Sequence, residues 1–194
     1  MSSQTSPVVP GRPPVVDPSF IPYRKAAKYL LNYFRENDLS PPSIGIICGS
    51  GLSSLSDSMT ETHTIPYASV PGFPDSCGVA GHKGEMVLGQ LSQTQTLCFR
   101  GRFHTYEGHS PATVVLPVRI LRCLGVKVVL VTNAAGALNP DYNVGDVVCV
   151  TDHVALPMMT GAKNPLVGKN DDELGPRFPS TSDAYDGGLR ALMA

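Results

Sequence analysis

Three short apolar runs, each followed directly by a turn or by small or polar residues, constrain the fold of this sequence most. They occupy residues 44–48, 126–132 and 146–150, and each has the length of a β-strand. Segments with apolar residues at helical spacing lie between some of them, and strands that alternate with helices are typical of a helix-covered, parallel or mixed sheet. We therefore predict an α/β fold with a central mixed, largely parallel sheet flanked by helices.

Two further segments, residues 85–91 and 96–101, predict a pair of strands on either side of the polar residues 92–95. Both are rich in apolar residues, and the polar link between them is short. Of the strands, we expect residues 44–48 and 126–132 to be buried and residues 146–150 to form a third strand of the same kind.

Two helices are indicated by capping residues and proline. Asp17-Pro18 has the pattern of a helix start, and apolar residues follow at helical spacing until Ser40-Pro41-Pro42. Ser110-Pro111 predicts a second helix that continues through Leu124, and Pro117 is placed where it would kink that helix.

The two ends of the chain differ from its middle. Residues 1–16 contain four prolines and predict a disordered tail, so that residues 17–194 would form the folded part. Residues 153–182 are Pro-rich and weakly periodic, which predicts a long functional loop. Asp183 has the pattern of a helix start with few residues left to follow it, and we therefore expect the domain to be incomplete at the C-terminus.

Composition excludes several classes of function. The formal net charge is −1 and no long basic run is present, which argues against a nucleic-acid partner. No apolar stretch reaches the length that spans a bilayer, and no secretory signal is evident, so we expect no membrane and a cytoplasmic location. The five cysteines are widely spaced without a CxxC pair, which favours reduced core cysteines and no metal site.

The first candidate for chemistry is the turn Gly49-Ser50-Gly51 at the end of the first apolar run. Backbone N–H groups and the Ser50 hydroxyl of such a turn are able to face an anion. The turn lacks the GK[ST] of a Walker loop and the third glycine of a dinucleotide fingerprint. A tight turn without a ligand is the alternative interpretation of this motif alone.

The second candidate is the segment that follows residues 96–101. Arg102 offers a planar fork of donors that matches phosphate, and loops at the carboxyl ends of strands commonly build ligand sites in α/β proteins. If the strand extends, His104 and Tyr106 share one side with Arg102. A solvated surface loop is the alternative.

Two weaker motifs complete the set. Asn133 and Ala134 follow the apolar run 126–132 in a stretch of small residues, where a backbone is able to approach a ligand closely. His82 lies between glycines and is suited to closing over an anion. The alternatives are a well-packed turn and an incidental surface histidine. Together the four motifs predict a site for a phosphate-like anion and a hydroxylated partner.

At this point the sequence resembles the trimeric purine nucleoside phosphorylases. The resemblance covers residues 20–186 and rests on six motifs that occur in order. These are ICGSGL at 47–52, GHKGE at 81–85, GRFHTYEGH at 101–109, PVRILRCLGV at 117–126, VTNAAGALNP at 131–140 and RFPSTSDAYD at 177–186.

The resemblance implies reversible phosphorolysis of purine nucleosides to a free base and ribose 1-phosphate, without a cofactor and with inorganic phosphate as co-substrate. It implies Arg102 and His104 as catalytic residues. It also implies a set of phosphate ligands, namely Ser50, His82, Arg102, Phe103, His104 and Ala134. Tyr106, Asn133 and Phe178 would contact the ribose, with Phe178 reaching into a neighbouring subunit of a homotrimer.

The family's purine-binding residues lie in a C-terminal third that this chain does not contain, so the preferred base stays open. Three alternatives remain. A methylthioadenosine phosphorylase fits Ser50 and Asn133 less well, and a generic nucleotide-binding module explains only the glycine turn. A catalytically inactive subunit or interaction protein would retain the phosphate site and the trimer surfaces.

Overall fold

A computed structural model describes residues 21–74, 83–159, 161 and 164–193. The predicted tail at residues 1–16, the predicted helix start at Asp17-Pro18 and His82 all lie outside these ranges. Within them, no helix combines the length and the apolar character needed to cross a membrane.

Five strands form one mixed sheet in the spatial order β2-β3-β4-β1-β5. Their bounds are β1 Ile44–Ile47, β2 Thr60–Pro66, β3 Glu85–Leu91, β4 Thr94–Arg100 and β5 Val128–Val131. β1 pairs in parallel with both β4 and β5, whereas the β2–β3 and β3–β4 pairs are antiparallel. The predicted mixed α/β sheet is confirmed, with parallel pairing concentrated around β1.

The hairpin between β3 and β4 is tighter than the sequence predicts. Thr94 and Gln95 belong to β4, so the link contains only Ser92 and Gln93. Both residues have positive φ, 47° and 64°, as in a type I′ turn whose twist matches that of the flanking strands. Neither is a glycine, which is why the sequence did not indicate a two-residue turn.

The described residues form five α-helices beside the sheet. They are α1 Ile21–Glu36, α2 Pro111–Val114, α3 Leu116–Cys123, α4 Leu156–Met159 and α5 Gly187–Ala191. α1 and α3 pack together on one face of the sheet and bury its largest apolar cluster, which includes Leu30, Phe34, Ile47, Phe99 and Leu121. Because alternate residues of a strand point to opposite faces, Ile46, Cys48 and Cys98 form a smaller cluster on the other face.

The predicted helix after Ser110 is divided into two. The Ser110 hydroxyl caps α2 by accepting a hydrogen bond from the Thr113 N–H at 3.2 Å. The chain then leaves helical geometry at Val115, and α3 begins with Pro117 in its first turn. A proline at this position lacks the N–H that would bond Thr113 and its ring crowds that carbonyl, so a break replaces the predicted kink.

β1 and β4 occupy the buried positions expected of them, but the run 126–132 does not. β5 is the last strand of the sheet among the described residues, and Val131 is 59% exposed. An apolar run of this length fits either a buried strand or an edge strand, and periodicity does not distinguish them. The prediction of a strand within residues 126–132 is therefore confirmed. The prediction that this strand is buried is wrong.

Two predicted elements near the C-terminus are absent or displaced. Residues 146–150 have no regular secondary structure, are exposed and pair with no strand in the described part of the chain, so their backbone gains no ladder hydrogen bonds. The last helix begins after Asp186, whose carboxylate accepts a hydrogen bond from the Leu189 N–H at 2.8 Å, and not at Asp183. Residues 153–182 are irregular apart from α4 where the structure describes them, as predicted.

The contact between β1 and α3 generates a stability prediction. A Cβ built on Gly45 would lie 2.6 Å from Cδ1 of the buried Leu121. Gly45→Ala should therefore lower the free energy of unfolding by about 1–3 kcal/mol through overpacking. Thermal or denaturant unfolding monitored by circular dichroism measures the loss.

Leu121→Ala provides the matched background, because it removes the atoms that the new methyl group would strike. It should itself cost about 2–5 kcal/mol as a cavity, but Gly45→Ala should then be nearly neutral. If Gly45→Ala lowers the free energy of unfolding equally in the two backgrounds, the contact with Leu121 does not restrict the size of the side chain at residue 45.

Candidate active site

The parallel pairing of β1 with β4 and β5 places three predicted site segments at one edge of the sheet. Ser50 follows β1, Arg102 follows β4, and Asn133 and Ala134 follow β5. In a parallel arrangement the carboxyl ends of neighbouring strands point the same way, and ligands bind in the crevice outside them. Ser50 follows the middle strand of the three, so the loops that carry Arg102 and Ala134 follow the strands on either side of it.

Close contact joins the loop after β1 to the loop after β5. The Gly49 N–H donates a hydrogen bond to Oγ1 of Thr132 at 3.0 Å. A Cβ on Gly49 would lie 2.5 Å from the Thr132 carbonyl oxygen and 2.7 Å from Cα of Asn133. Only glycine allows this approach, so the small-residue prediction is realised most strongly at Gly49. Ser50, Asn133 and Ala134 are exposed beside the contact.

Arg102 is half-buried just beyond the end of β4. The carbonyl oxygen of Arg100 accepts hydrogen bonds from the N–H groups of Lys83 and Gly84 at 3.0 and 3.2 Å. These bonds fasten the chain that emerges from the His82 segment to the strand that presents Arg102. His82 itself lies outside the described residues.

Arg100 is a second, buried guanidinium at the same end of β4, and it is committed to ion pairs. Its Nη1 and Nη2 atoms lie 3.2 Å from Glu85 Oε1 and 3.3 Å from Asp57 Oδ1. Two carboxylates therefore face its charge. This arrangement ties the 3₁₀-helical segment Ser53–Ser58, which follows the glycine turn, to the middle of the sheet.

A buried cysteine pair lies beside the glycine turn. The sulfur atoms of Cys48 and Cys98 are 3.4 Å apart and both residues are fully buried. A hydrogen bond from the Cys98 thiol lowers the pKa of Cys48, burial opposes this, and the charges of Arg100 and Arg102 lower it further. The Cys98 pKa is raised by the same hydrogen bond and by burial.

His104 is held by Glu107. A carboxylate oxygen of Glu107 accepts from the His104 backbone N–H at 2.9 Å and lies 2.6 Å from Nδ1 of the imidazole. Burial raises the pKa of Glu107, but the hydrogen bonds and charge of His104 bring this pKa below its usual value. Sequence reasoning missed Glu107, although its position three residues after His104 matches the spacing of a capping box.

β4 does not extend through Tyr106, so the condition under which strand alternation would place His104 and Tyr106 beside Arg102 is not met. The strand ends at Arg100, and Thr105–Glu107 forms a 3₁₀-helical turn with Gly108 in the left-handed region. The Tyr106 ring nevertheless stacks on the His104 ring, with centroids 4.6 Å apart and an angle of 18° between planes. The two side chains share a surface through stacking and not through strand alternation.

The phenylalanines in the predicted set have opposite environments. The Phe103 side chain is 2% exposed and packs against Tyr67, Phe73 and His109 in the core. It therefore has no access to a ligand, and the assignment of Phe103 to the phosphate site is wrong for its side chain. Phe178 is 87% exposed, with the Arg177 guanidinium 5.5 Å from the ring centre.

Among the described residues, no group of three or more His, Cys, Asp or Glu side chains has metal-binding geometry. A cavity of about 550 Å³ lies between α3 and residues 165–179 and contains none of the predicted site residues. Among the described residues, Ser50, Asn133 and Ala134 of the candidate site are exposed at the edge of the sheet. Cys149 is exposed, which corrects its prediction as a core residue.

The chain belongs to the phosphorylase superfamily, whose family model matches residues 43–194. The purine nucleoside phosphorylase of Bos taurus is 44% identical over 168 residues, which are 87% of this chain and 56% of the relative. Purine nucleoside phosphorylase 1 of Geobacillus stearothermophilus is 43% identical over 169 residues, or 87% and 60% of the two chains. The resemblance to purine nucleoside phosphorylases is confirmed.

Solved structures agree with this assignment. The Schistosoma mansoni purine nucleoside phosphorylase in complex with inosine is 44% identical with a TM-score of 0.78, and the match covers 88% of this chain and 57% of that one. A purine nucleoside phosphorylase in complex with ribose-1-phosphate gives 45% identity, a TM-score of 0.79 and coverages of 88% and 60%. The chain thus spans a little more than half the length of these relatives.

The His104–Glu107 contact predicts a pH-dependent stability. Because the folded-state pKa of Glu107 is lowered, its carboxylate stabilises the fold above the unfolded-state pKa of about 4.3, and this stabilisation is lost as the pH falls through the folded-state value. Glu107→Gln should lower the Tm at neutral pH and should flatten the dependence of Tm on pH below about pH 5. Thermal melts across that range measure both effects.

Glu36→Gln, at the exposed end of α1, is the control because it removes one carboxylate without touching His104. It should leave the shape of the Tm profile unchanged. If the Tm of Glu107→Gln and the Tm of wild type fall by equal amounts on acidification, Glu107 does not stabilise the turn through its charge.

Proposed function

We propose that this chain binds inorganic phosphate at the carboxyl edge of β1, β4 and β5 and supports phosphorolysis of purine nucleosides. Ser50, Arg102, His104 and the backbone N–H of Ala134 would hold the phosphate, with His82 closing over it. Tyr106 and Asn133 would line the ribose. The observation that carries the proposal is the convergence of the Ser50, Arg102 and Ala134 loops on one edge of the sheet in a member of the phosphorylase superfamily.

The proposed reaction requires little acid–base catalysis from the protein. Cleavage of a glycosidic bond passes through an oxocarbenium-like state, and phosphate is an anionic nucleophile without activation. The protein must hold the phosphate against the face of the ribose, which N–H donors, a hydroxyl and a guanidinium accomplish by positioning and electrostatics. The fork of Arg102 suits phosphate oxygens, and Glu107 would hold His104 in place beside it. Departure of the base with the electron pair of the bond completes the step.

The reaction partners follow from the relatives. Solved relatives contain inosine, adenosine, hypoxanthine and ribose-1-phosphate, and the substrate proposed here is accordingly a purine nucleoside whose base stays open. Phosphate is the co-substrate, no cofactor is proposed, and the location would be cytoplasmic. Residues 17–194 would form a partial phosphorylase domain, with residues 1–16 as a dispensable tail.

A second candidate is a subunit that binds phosphate and associates with other chains without turnover. The share of the relatives' length that this chain spans, 56% for the bovine enzyme, favours it as the competing proposal. The two candidates share the phosphate site and differ only in release of the base. One assay series therefore distinguishes them.

Arg102→Lys tests the phosphate site because it retains the charge and loses the planar fork. In the purified chain, wild type should release hypoxanthine from inosine only when phosphate is present. Arg102→Lys should lower kcat/KM by about 10²-fold, in the range seen when one donor to a developing charge is removed. Isothermal titration with phosphate should show weaker binding by the same variant.

Arg35→Lys, at the exposed end of α1, is the matched control and should behave as wild type. Phosphate binding that depends on Arg102 without release of hypoxanthine would select the inactive subunit. Base release that ignores phosphate, or equal phosphate binding by wild type and Arg102→Lys, would reject the proposed site.

Phe178 tests the proposed trimer. Its ring is largely exposed in the chain, so Phe178→Ala should leave the free energy of unfolding of an isolated chain within about 0.5 kcal/mol of wild type. If the ring enters a neighbouring subunit's ribose pocket, the variant should raise KM for inosine several-fold and leave KM for phosphate unchanged. Sedimentation velocity of wild type should give the mass of a trimer, and a monomer with unaltered KM would contradict this role.

A further inference from the structure

The hydrogen bond between Gly49 and Thr132 lies at the junction of the two loops that the proposed phosphate site depends on. β1 and β5 run in parallel, and their backbone ladder ends with the Thr132 N–H, which donates to the Ile47 carbonyl at 3.0 Å. One step further along β1, the Gly49 N–H donates to a side chain, Oγ1 of Thr132, at 3.0 Å. The threonine hydroxyl therefore extends the ladder into the loops.

Steric contact reinforces the hydrogen bond. Gly49 is buried, and its missing side chain leaves room for the Thr132 carbonyl and for Cα of Asn133. The loop after β1 is thus pressed against the loop after β5 and is also bonded to it. Ser50 and Ala134, the proposed phosphate contacts on these loops, each lie within two residues of this junction.

The bond also engages one backbone donor of the glycine turn within the protein. The Gly49 N–H donates to Thr132, next to the exposed Ser50. A loop free to rotate about Gly49 would lose the fixed orientation of Ser50. Catalysis by positioning is sensitive to displacements of about 1 Å.

We infer that Thr132 is a positioning residue, which fixes the Ser50 loop relative to the Ala134 loop through its hydroxyl. This inference rests on the proposed phosphate site. It assigns no contact between Thr132 and phosphate, and it predicts that loss of the hydroxyl weakens phosphate binding while the ribose contacts are spared.

Thr132→Val and Thr132→Ser separate the effect of losing the hydroxyl from the effect of changing the shape of the side chain. Valine replaces the hydroxyl with a methyl group, whereas serine keeps the hydroxyl. Thr64→Val, on the exposed side of the edge strand β2, controls for the general effect of the substitution. Circular dichroism melts establish that the variants are folded, and Thr132→Ala replaces Thr132→Val if the latter is not.

The first measurement needs no ligand. Amide hydrogen exchange should be faster at Gly49 and Ser50 in Thr132→Val than in wild type, and Thr132→Ser should restore the slow rates. The second measurement is titration with inorganic phosphate. One hydrogen bond of ordinary strength corresponds to a rise in Kd of about three- to tenfold for Thr132→Val, with serine again restoring the wild-type value.

Accelerated exchange with weaker phosphate binding, both rescued by serine, would support the inference. Unchanged exchange at Gly49 in a folded Thr132→Val, or weak binding that serine does not rescue, would overturn it. If wild type fails to bind phosphate, the proposed function fails for this chain, and the exchange rates alone then decide whether Thr132 fixes the loop.

Discussion

The position of β1 between two parallel neighbours is the constraint on which the rest of this structure depends. Because β4 and β5 both run parallel to β1, the three strands end at one edge of the sheet. The loops after these strands therefore lie at the same edge. On the far side of β4, β3 runs in the opposite direction, whereas β2 again runs in the direction of β4 and ends at the same edge. The residues of the proposed site nevertheless follow only β1, β4 and β5.

Two arginines at that edge, Arg100 and Arg102, have different environments. Arg100 and Arg102 are separated by one residue, yet Arg100 is buried against Glu85 and Asp57, whereas Arg102 lies beyond the strand in a half-buried loop. Burial of a guanidinium is tolerated only with such partners. Arg100 therefore stabilises the fold, and Arg102 is the arginine proposed to bind the phosphate.

Much of this was accessible from the sequence, and the failures have specific physical causes. β1, the β3–β4 pair and α1 follow from apolar periodicity and proline, and Ser50, Arg102 and Ala134 follow from the rule that strand ends build sites. β2 was missed because its residues are mostly polar, and the edge position of β5 was missed because an apolar run does not reveal its number of neighbours. The burial of Phe103 depends on aromatic packing with residues distant in sequence, which spacing alone does not encode.

Residues that contact a ligand and residues that hold them in place differ in how readily the sequence reveals them. Groups that contact a ligand are conspicuous in sequence because arginine and histidine beside glycine are chemically unusual there. Groups that hold them are ordinary residues whose partners are set by the fold, as with Glu107 beside His104 and Thr132 beside Gly49. A reaction whose nucleophile arrives already charged needs few reactive side chains and depends on the accuracy with which donors are placed. For such chemistry the residues that hold the loops matter as much as those that face the ligand.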